Sequence, residues 1–591
     1  MRKCVLPSIV MLAFVFSIAW ATVAFAQEQQ TVAEKLLEIM RANHQITQAQ
    51  YKELKEEAEK EKAAAAARST AEAQAAQNAA AQAAESARAA MGQAAQAAQT
   101  ALAIEAGTKG NPLGLQASWQ NGLVFQSTDG AFDVHVGGRI QEDVADAEPN
   151  TALSKWANTQ NTSGLRGPKT DGWGDQMRRV RLAIDGRLWN DIEFISQIEF
   201  APTYSATTVL KSSVNSTSKF GQAQYFADIT TGYTASFQDV WMGVKDIPYI
   251  GRIRAGQMYE PIGLDQQTVD NFSTFMEKAL PMNALIPGRN LGLLMENTAC
   301  NDRIGWEAGY FFAQQTGTPY NGVATDATGD LFSPHLDSTD VAVRLYALPW
   351  YENNGAHLLH IGIGYEHKFR SDSTSTSNPG WLDFKSYPEA YMFDSLVDTG
   401  YFMARDVDVI DPEIALVYGP FSVQGEYTWS FCNDIGIPSA GTSSVGPNWT
   451  FLSHGATFSG WYAQASYFLT GEHRPYYLEA SSRNYQATFG RIIPNANFNP
   501  RAGGWGAWEL AFRVSNLDLN DPAARFTGGD ETDYTVGLNW YLNPNVMVKM
   551  NYIYATVGTH AAEANTLVSS PTALTSGGVD NIFETRFQIA F

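Results

Sequence analysis

Basic side chains recur in this sequence at a spacing of two. In MRRVRLAIDGRL, Arg179, Arg181 and Arg187 share one parity, and Val180, Leu182, Ile184 and Leu188 share the other. Residues two apart point to the same face of a strand. The three guanidinium groups therefore line one side and the aliphatic groups the other. Arg139 in VHVGGRI, then Lys245, Arg252 and Arg254, extend the set onto neighbouring strands, while Lys278 and Arg289 fall in the connection 261–289. A guanidinium is permanently charged and presents a planar fork of N–H donors that fits phosphate or carboxylate oxygens. Rings of Arg and Lys are also how pores favour anions. The same groups could instead pair with Asp185, Glu193, Glu199 and Asp239, which would leave a mixed polar wall. For any single Arg that outcome is at least as good; the seven basic residues on adjacent strands before the connection argue for a collective role.

Other chemistry has less to build on. His135, His357, His360 and His367 stand singly, with no Ser–His spacing to suggest a nucleophile and its base, and they read as wall or interface residues. Cys4, Cys300 and Cys432 form neither a disulfide framework nor a metal-ligand spacing. No phosphate-cradling loop, metal cluster or nucleic-acid patch stands out. The expectation is a protein that is not an enzyme, with no cofactor, no metal and no nucleic-acid partner. Charge runs against an anion path, since 61 Asp and Glu face 40 Lys and Arg for a net of −21. From residue 107 on, 50 acids oppose 30 bases. Many acids, such as Asp394, Asp398, Asp406, Asp408 and Asp411, fall in or beside long connections. A negative mouth repels anions at long range, but screening over about 8 Å at physiological salt leaves a narrow constriction to set selectivity.

The scaffold that must position these residues is a run of strands. From residue 122 on, apolar and polar residues alternate. IEFISQIEF follows MRRVRLAIDGRLW across a tight Asn190-Asp191 turn, and VGLNWYL and VMVKMNYIY flank Asn543-Pro544-Asn545. Counting back from Phe591 gives sixteen strands, from 131–143 to 580–591. Most have the length a tilted strand needs to cross a bilayer. Long connections (144–176, 202–234, 370–404) fall on one side and tight turns on the other, the asymmetry of outer-membrane barrels. The fold class expected is an all-β transmembrane barrel of about 16 antiparallel strands with an N-terminal α-helical, coiled-coil-like extension. The stretch 470–506 fits poorly, being too long for a turn yet on the turn side. In NIFETRFQIAF, Phe583, Phe587 and Ile589 would face lipid with Phe591 at the interface, on a last strand that closes against the first.

The start of the chain is different. Arg2 and Lys3, an apolar run from Val5 to about Trp20, and Ala24-Phe25-Ala26 read as a secretory signal peptide over 1–26. After VAEKLLEIM and a break at Asn43-His44, ITQAQY offers a capping box with a hydrophobic staple. The residues that follow are mostly strong helix formers. Residues 27–106 thus read as a helical hairpin and Ala-rich periplasmic stem, able to self-associate or to serve as a spacer. Residues 107–121 read as a linker and 122–591 as the barrel. The stem also raises a structural alternative, a tether from the outer membrane to the cell wall through peptidoglycan contact.

Several blocks carry a family resemblance. RIRAGQMYEPIGL, FMEKALPMNALIPGRNLGL, SYFLTGEHRPY, GWGAWELAFRVSNLDLND and YTVGLNWYLNPNV, in that order, together resemble the phosphate-selective porin O/P family. The resemblance implies a sixteen-stranded, trimeric outer-membrane barrel with an inward-folded third loop. It also implies passage of small anions along an Arg and Lys track. The family's constricting loop coincides with the connection 261–289 reached by counting strands. Phe272, Phe275, Met276, Leu280 and Leu285 there suit a lumen better than a surface.

Overall fold

The structure, a computed structural model, describes residues 114–160, 170–201, 208–212, 225–229, 235–312, 339–369, 381–399, 402–438, 449–451, 454–559 and 576–591. Of the earlier residues it describes 47–49, Lys52, Glu56 and Lys60. The expected signal peptide and nearly all of the expected stem lie outside the described residues. The chain divides into two units, Met1–Pro112 and Leu113–Phe591, and the second holds the barrel.

Eighteen strands join in one sheet, of which sixteen close on themselves and two form a hairpin beside them. The wall runs β1 (Asp133–Pro149), β2 (Gly172–Leu188), β3 (Ile192–Glu199), β4 (Ser236–Ile247), β5 (Gly251–Tyr259) and β6 (Arg289–Ala299). It continues as β7 (Ile304–Phe312), β8 (Thr339–Glu352), β9 (His357–Phe369), β10 (Asp406–Tyr418) and β11 (Phe421–Asn433). It ends as β12 (Ala456–Phe468), β13 (Ala507–Asp521), β14 (Phe526–Asn543), β15 (Val546–Thr559) and β16 (Ser576–Ala590). Every pairing around the wall is antiparallel, and each strand lies where alternation places it. Several run further at the loop end than expected: β1 reaches Pro149 and β14 starts at Phe526. Arg289, expected in the connection, is the first residue of β6.

β16 meets β1 from Asp580 opposite Pro149 to Ala590 opposite Arg139. Phe591 then exchanges backbone hydrogen bonds with Gly138, at 2.9 and 2.7 Å. Closure pairs the last wall strand with the first, so this seam presents no open edge to a bilayer, which would penalise unpaired N–H and C=O groups. On β16, Phe583, Phe587 and Ile589 are exposed outward, while Glu584, Arg586 and Gln588 are buried inward. This inverts a soluble protein and matches a wall between lipid and a polar lumen. Aromatic residues flank the apolar band. Tyr534, Tyr552 and Tyr554 stand towards the loop end, and the stacked pair Trp508 and Trp540 (ring centroids 5.1 Å apart) towards the turn end. Among the described residues no helix is long and apolar enough to cross a membrane.

Three insertions fill much of the lumen. The connection after β5 folds inward with two short helices, Leu264–Gln267 and Leu280–Ala284. Its Ile262, Leu280, Met282 and Leu285 share a buried apolar cluster with Phe384 and Phe393 of the connection after β9, and with inward Val407, Phe458 and Phe526 of the wall. Enclosed this way, the apolar content of 261–289 is removed from water. The stretch 470–506 also folds into the barrel, from the turn end. Its Tyr476 is buried beside Leu358 and Val417, and its Arg474 donates to Gln424 at 2.7 Å. A length that is anomalous for a turn is therefore that of a plug.

A hairpin, Leu115–Trp119 and Leu123–Ser127, precedes β1. It starts inside the stretch expected to be a linker. Leu123 to Gln126 pair with Val136 to Asp133, continuing the wall beneath the end of β16. Gly122, with φ at +148°, makes the turn; a Cβ there would lie 2.0 Å from His135 Nε2. Trp119 stacks on Phe591 with centroids 6.4 Å apart, so the last aromatic packs against protein. Cys300, exposed in a tight turn, and Cys432, buried on β11, are not joined in a disulfide.

Candidate functional site

The strand register places Arg139 of β1 directly opposite Arg181 of β2. Like charges in that position repel, so something negative has to sit between them. The inserted connection supplies it. Asp270 Oδ2 lies 3.2 Å from Arg179, 3.4 Å from Arg139 and 3.6 Å from Arg181, and Oδ1 lies 4.0 Å from Lys278. Burial alone would push this carboxyl up, but Arg179, Lys278, Arg181 and Arg139 hold it well below the ordinary carboxylate value. Seven residues on, Glu277 takes a two-pronged contact from Arg178 (2.9 Å to each oxygen) and another from Arg586 at 2.6 Å. Its carboxyl too is held far below the usual range, against the push of burial, by Arg178, Arg179 and Arg586. The basic wall and the acidic loop are thus one electrostatic unit.

The other candidates take two different settings. Lys278 faces inward within its own loop, donating to the backbone carbonyls of Asp265 and Thr268. Arg289 grips Asp239 at 2.9 Å and lies 3.9 Å above the Tyr259 ring. Arg254 meets Glu296 at 2.7 Å and the Trp241 face at 4.5 Å. Arg181 also holds Glu199 at 2.5 Å. Arg187 pairs with Asp133 at 2.5 Å, Lys245 approaches Asp246 at 4.0 Å, and Arg252 bridges Glu193 (2.9 Å) and Glu296 (2.8 Å).

Arg139, Arg187, Lys245 and Arg252 converge on one cavity of about 510 Å³ at the turn end of the lumen. Arg483 and Arg491 of the plug join them, against the acids Asp133, Asp185, Glu193 and Glu479. Six cations to four anions make this cavity positive in a chain that is strongly negative overall. Arg179, Arg181, Arg254, Lys278 and Arg289 lie outside its lining. The lumen's acids are concentrated elsewhere. Two buried groups, Glu260 with Asp340 and Glu366, and Asp411 with Glu413 and Glu426, are close enough for each group to share a metal ion.

Alternation alone missed Arg178, which would point outward. A bulge opposite Gln141 and Glu142 turns both Arg178 and Arg179 inward. The sequence signal was the Arg178-Arg179 doublet itself, since two adjacent guanidinium groups on one face require such a break. The plug's Arg474, Arg483 and Arg491 were also missed, though their stretch carries six aromatics against two in the inserted loop. Among the histidines, His360 sits between Glu413 and Tyr476, both at 2.8 Å, and His367 is 2.8 Å from Asp408. His357 stacks between Trp350 and Tyr418 on the wall. His135 and Ser482 both bond Asp185, at 2.7 and 2.8 Å, so the acid separates the serine from the imidazole.

The sequence profile of the phosphate-selective porin O and P family matches residues 134–591. Porin O of Pseudomonas aeruginosa is 25% identical over 222 residues, covering 34% of this chain and 45% of that protein. The matched region thus spans less than half of that relative. An uncharacterised protein of Caulobacter vibrioides is 24% identical over 441 residues, covering 74% of this chain and 71% of the other. Among solved structures, an anion-selective porin from Comamonas acidovorans is similar at 11% identity and a TM-score of 0.40, covering 78% of this chain and all of that one. The outer membrane channel DcaP of Acinetobacter baumannii is similar at 10% identity and a TM-score of 0.40, covering 79% of this chain and 99% of that one.

Proposed function

The chain belongs to the phosphate-selective porin O and P family, and from that premise we propose that its outer-membrane channel for small solutes favours anions. The observation that carries this reading is the convergence of Arg139, Arg179 and Arg181 on Asp270. The loop places one carboxylate where three guanidinium groups meet, which marks a position where an anion's charge is stabilised. The positive cavity at the turn end, now the periplasmic mouth, offers the next step on the same track. Guanidinium groups in a narrow path replace part of an anion's hydration, and their effect exceeds that of acids at the mouth because little water screens it. Phosphate-like oxyanions suit the fork geometry.

Assembly as a homotrimer belongs to the same proposal. The wall is low at β3 and β5, of eight and nine residues, against eighteen for β14, and a low wall suits a contact between barrels. A periplasmic stem over 27–106, reaching peptidoglycan, rests on the sequence pattern alone. The deciding measurement is the zero-current potential of the purified protein in a planar bilayer under a KCl gradient, repeated with potassium phosphate. Chloride passing more readily than potassium supports the proposal. Equal passage would mean that the ion pairs cancel and the pore is general. A barrel that conducts nothing but binds peptidoglycan would make the tether its main role.

A further inference from the structure

Behind the inserted loop, three carboxylates meet with too little positive charge between them. Asp411 and Glu413, two apart on β10, both face inward, and Glu426 of β11 stands directly opposite Glu413. All three are buried, and their oxygens lie within 4.8 Å of one another. Some oxygens are satisfied. Glu413 Oε1 accepts from Arg344 at 2.9 Å and contacts His360 at 2.8 Å. Glu426 accepts the backbone N–H groups of Leu264 (2.6 Å) and Asp265 (2.8 Å), and the Tyr462 hydroxyl. Asp411 Oδ1 accepts from Thr428 at 2.6 Å. Asp411 Oδ2 and Glu413 Oε2 remain, fully buried and meeting no hydrogen-bond donor.

Ionised, this cluster carries three negative charges against the single guanidinium of Arg344. Burying uncompensated ions costs several kcal/mol each. Arg344 is also shared with buried Glu307 at 3.1 Å, so a divalent cation would offset negative charge that the one guanidinium leaves uncompensated. The available donors are all oxygens, which excludes a preference for zinc or copper, since both ring nitrogens of His360 are already engaged. Calcium binds oxygen at about 2.3–2.6 Å in a tolerant geometry. Two ligands on opposite sides of one such ion are then up to about 5 Å apart, and one oxygen from each carboxylate lies within 4.8 Å of the others, close enough for all three to reach a single ion.

We propose that Asp411, Glu413 and Glu426 hold a calcium ion inside the barrel. Glu426 also receives the first N–H groups of the Leu264–Gln267 helix, so the ion would fasten the constricting loop to β10 and β11. The probe is terbium, which substitutes for calcium and luminesces when a nearby tyrosine is excited; Tyr462, bonded to Glu426, is that antenna. The full chain, folded in detergent and stripped with EDTA, should show a saturable terbium signal that calcium displaces. Asp411→Asn with Glu426→Gln should weaken calcium binding by about tenfold or more, while heat-modifiable gel migration checks that the barrel still forms. Tyr462→Phe should dim the luminescence yet keep calcium binding in a titration calorimeter. The wild-type measurement alone can overturn the proposal: without a calcium-displaced signal, the carboxylates are sharing protons. A site that survives the double substitution and disappears in Glu366→Gln would put the ion in the other acidic group and equally refute it.

Discussion

Replacing Asp270 with Asn tests the electrostatic unit most directly. It removes one negative charge from the point where Arg179, Arg139 and Arg181 lie within 3.2 to 3.6 Å, and it barely changes shape. A unit charge about 6 Å from a passing ion is worth roughly 0.7 kcal/mol in a water-like dielectric. Its loss favours an anion and disfavours a cation by that amount. The ratio of their permeabilities then moves by roughly 1.4 kcal/mol, or about tenfold towards anions. A drier constriction would enlarge the effect. The assay is the reversal potential across a planar bilayer at about 0.1 M salt, where the screening length of about 10 Å exceeds that distance. The loop should remain inserted, because the contacts of Glu277 with Arg178 and Arg586 are untouched. Heat-modifiable migration on gels checks this. A channel with unaltered migration and a ratio moved less than about twofold would refute the idea that ions pass beside Asp270.

The complementary substitution, Lys278→Gln with Arg289→Gln, should shift selectivity towards cations, and by more than Asp394→Asn with Asp398→Asn shifts it towards anions. That gap should widen as salt is raised, because acids at the mouth act through solvent. Acid should release the loop only late. Asp270 and Glu277 have depressed folded values, so the stabilisation they supply is fully present above the unfolded value of about 4. It is lost as pH falls through the folded values. Single-channel conductance should therefore hold from pH 7 to about 4 and become unsteady below; unsteadiness already at pH 6 would implicate other groups. Removing residues 27–106 should leave a barrel that folds into detergent, since the sheet is closed within Leu113–Phe591. Failure of that truncated chain to fold would mean that the earlier segment takes part in closure.

Alternation made the wall legible because it is a local property. Whether Arg181 points in or out is decided by Val180 and Leu182 beside it. Of the partners of Arg181, one was legible and one was not. Glu199 is a neighbour on the next strand, but Asp270 arrives from a loop about ninety residues away, and only the folded lumen brings them together. The plug carries the same local signal as the inserted loop. The inward course of 261–289 follows from apolar residues that a surface loop would waste, and Tyr476, Tyr485, Phe489 and Ile492 make the same case for 470–506. The hairpin at Leu115 was hidden by length: five residues per strand are too few for a period to declare itself.

That hairpin also bears on dimensions. Its second strand pairs with β1 up to Val136, and the closing strand begins its own pairing at Gly138, with only Gly137 between them. β16 therefore cannot slide two residues towards the periplasm without running into Leu123. In a closed sheet the stagger accumulated around the circle, together with the number of strands, fixes tilt and diameter. A slip of two at the seam would change that stagger and alter the bore along its whole height. A short hairpin outside the ring thus acts as a mechanical stop, and through it the residues just before the barrel help to set how wide the barrel is.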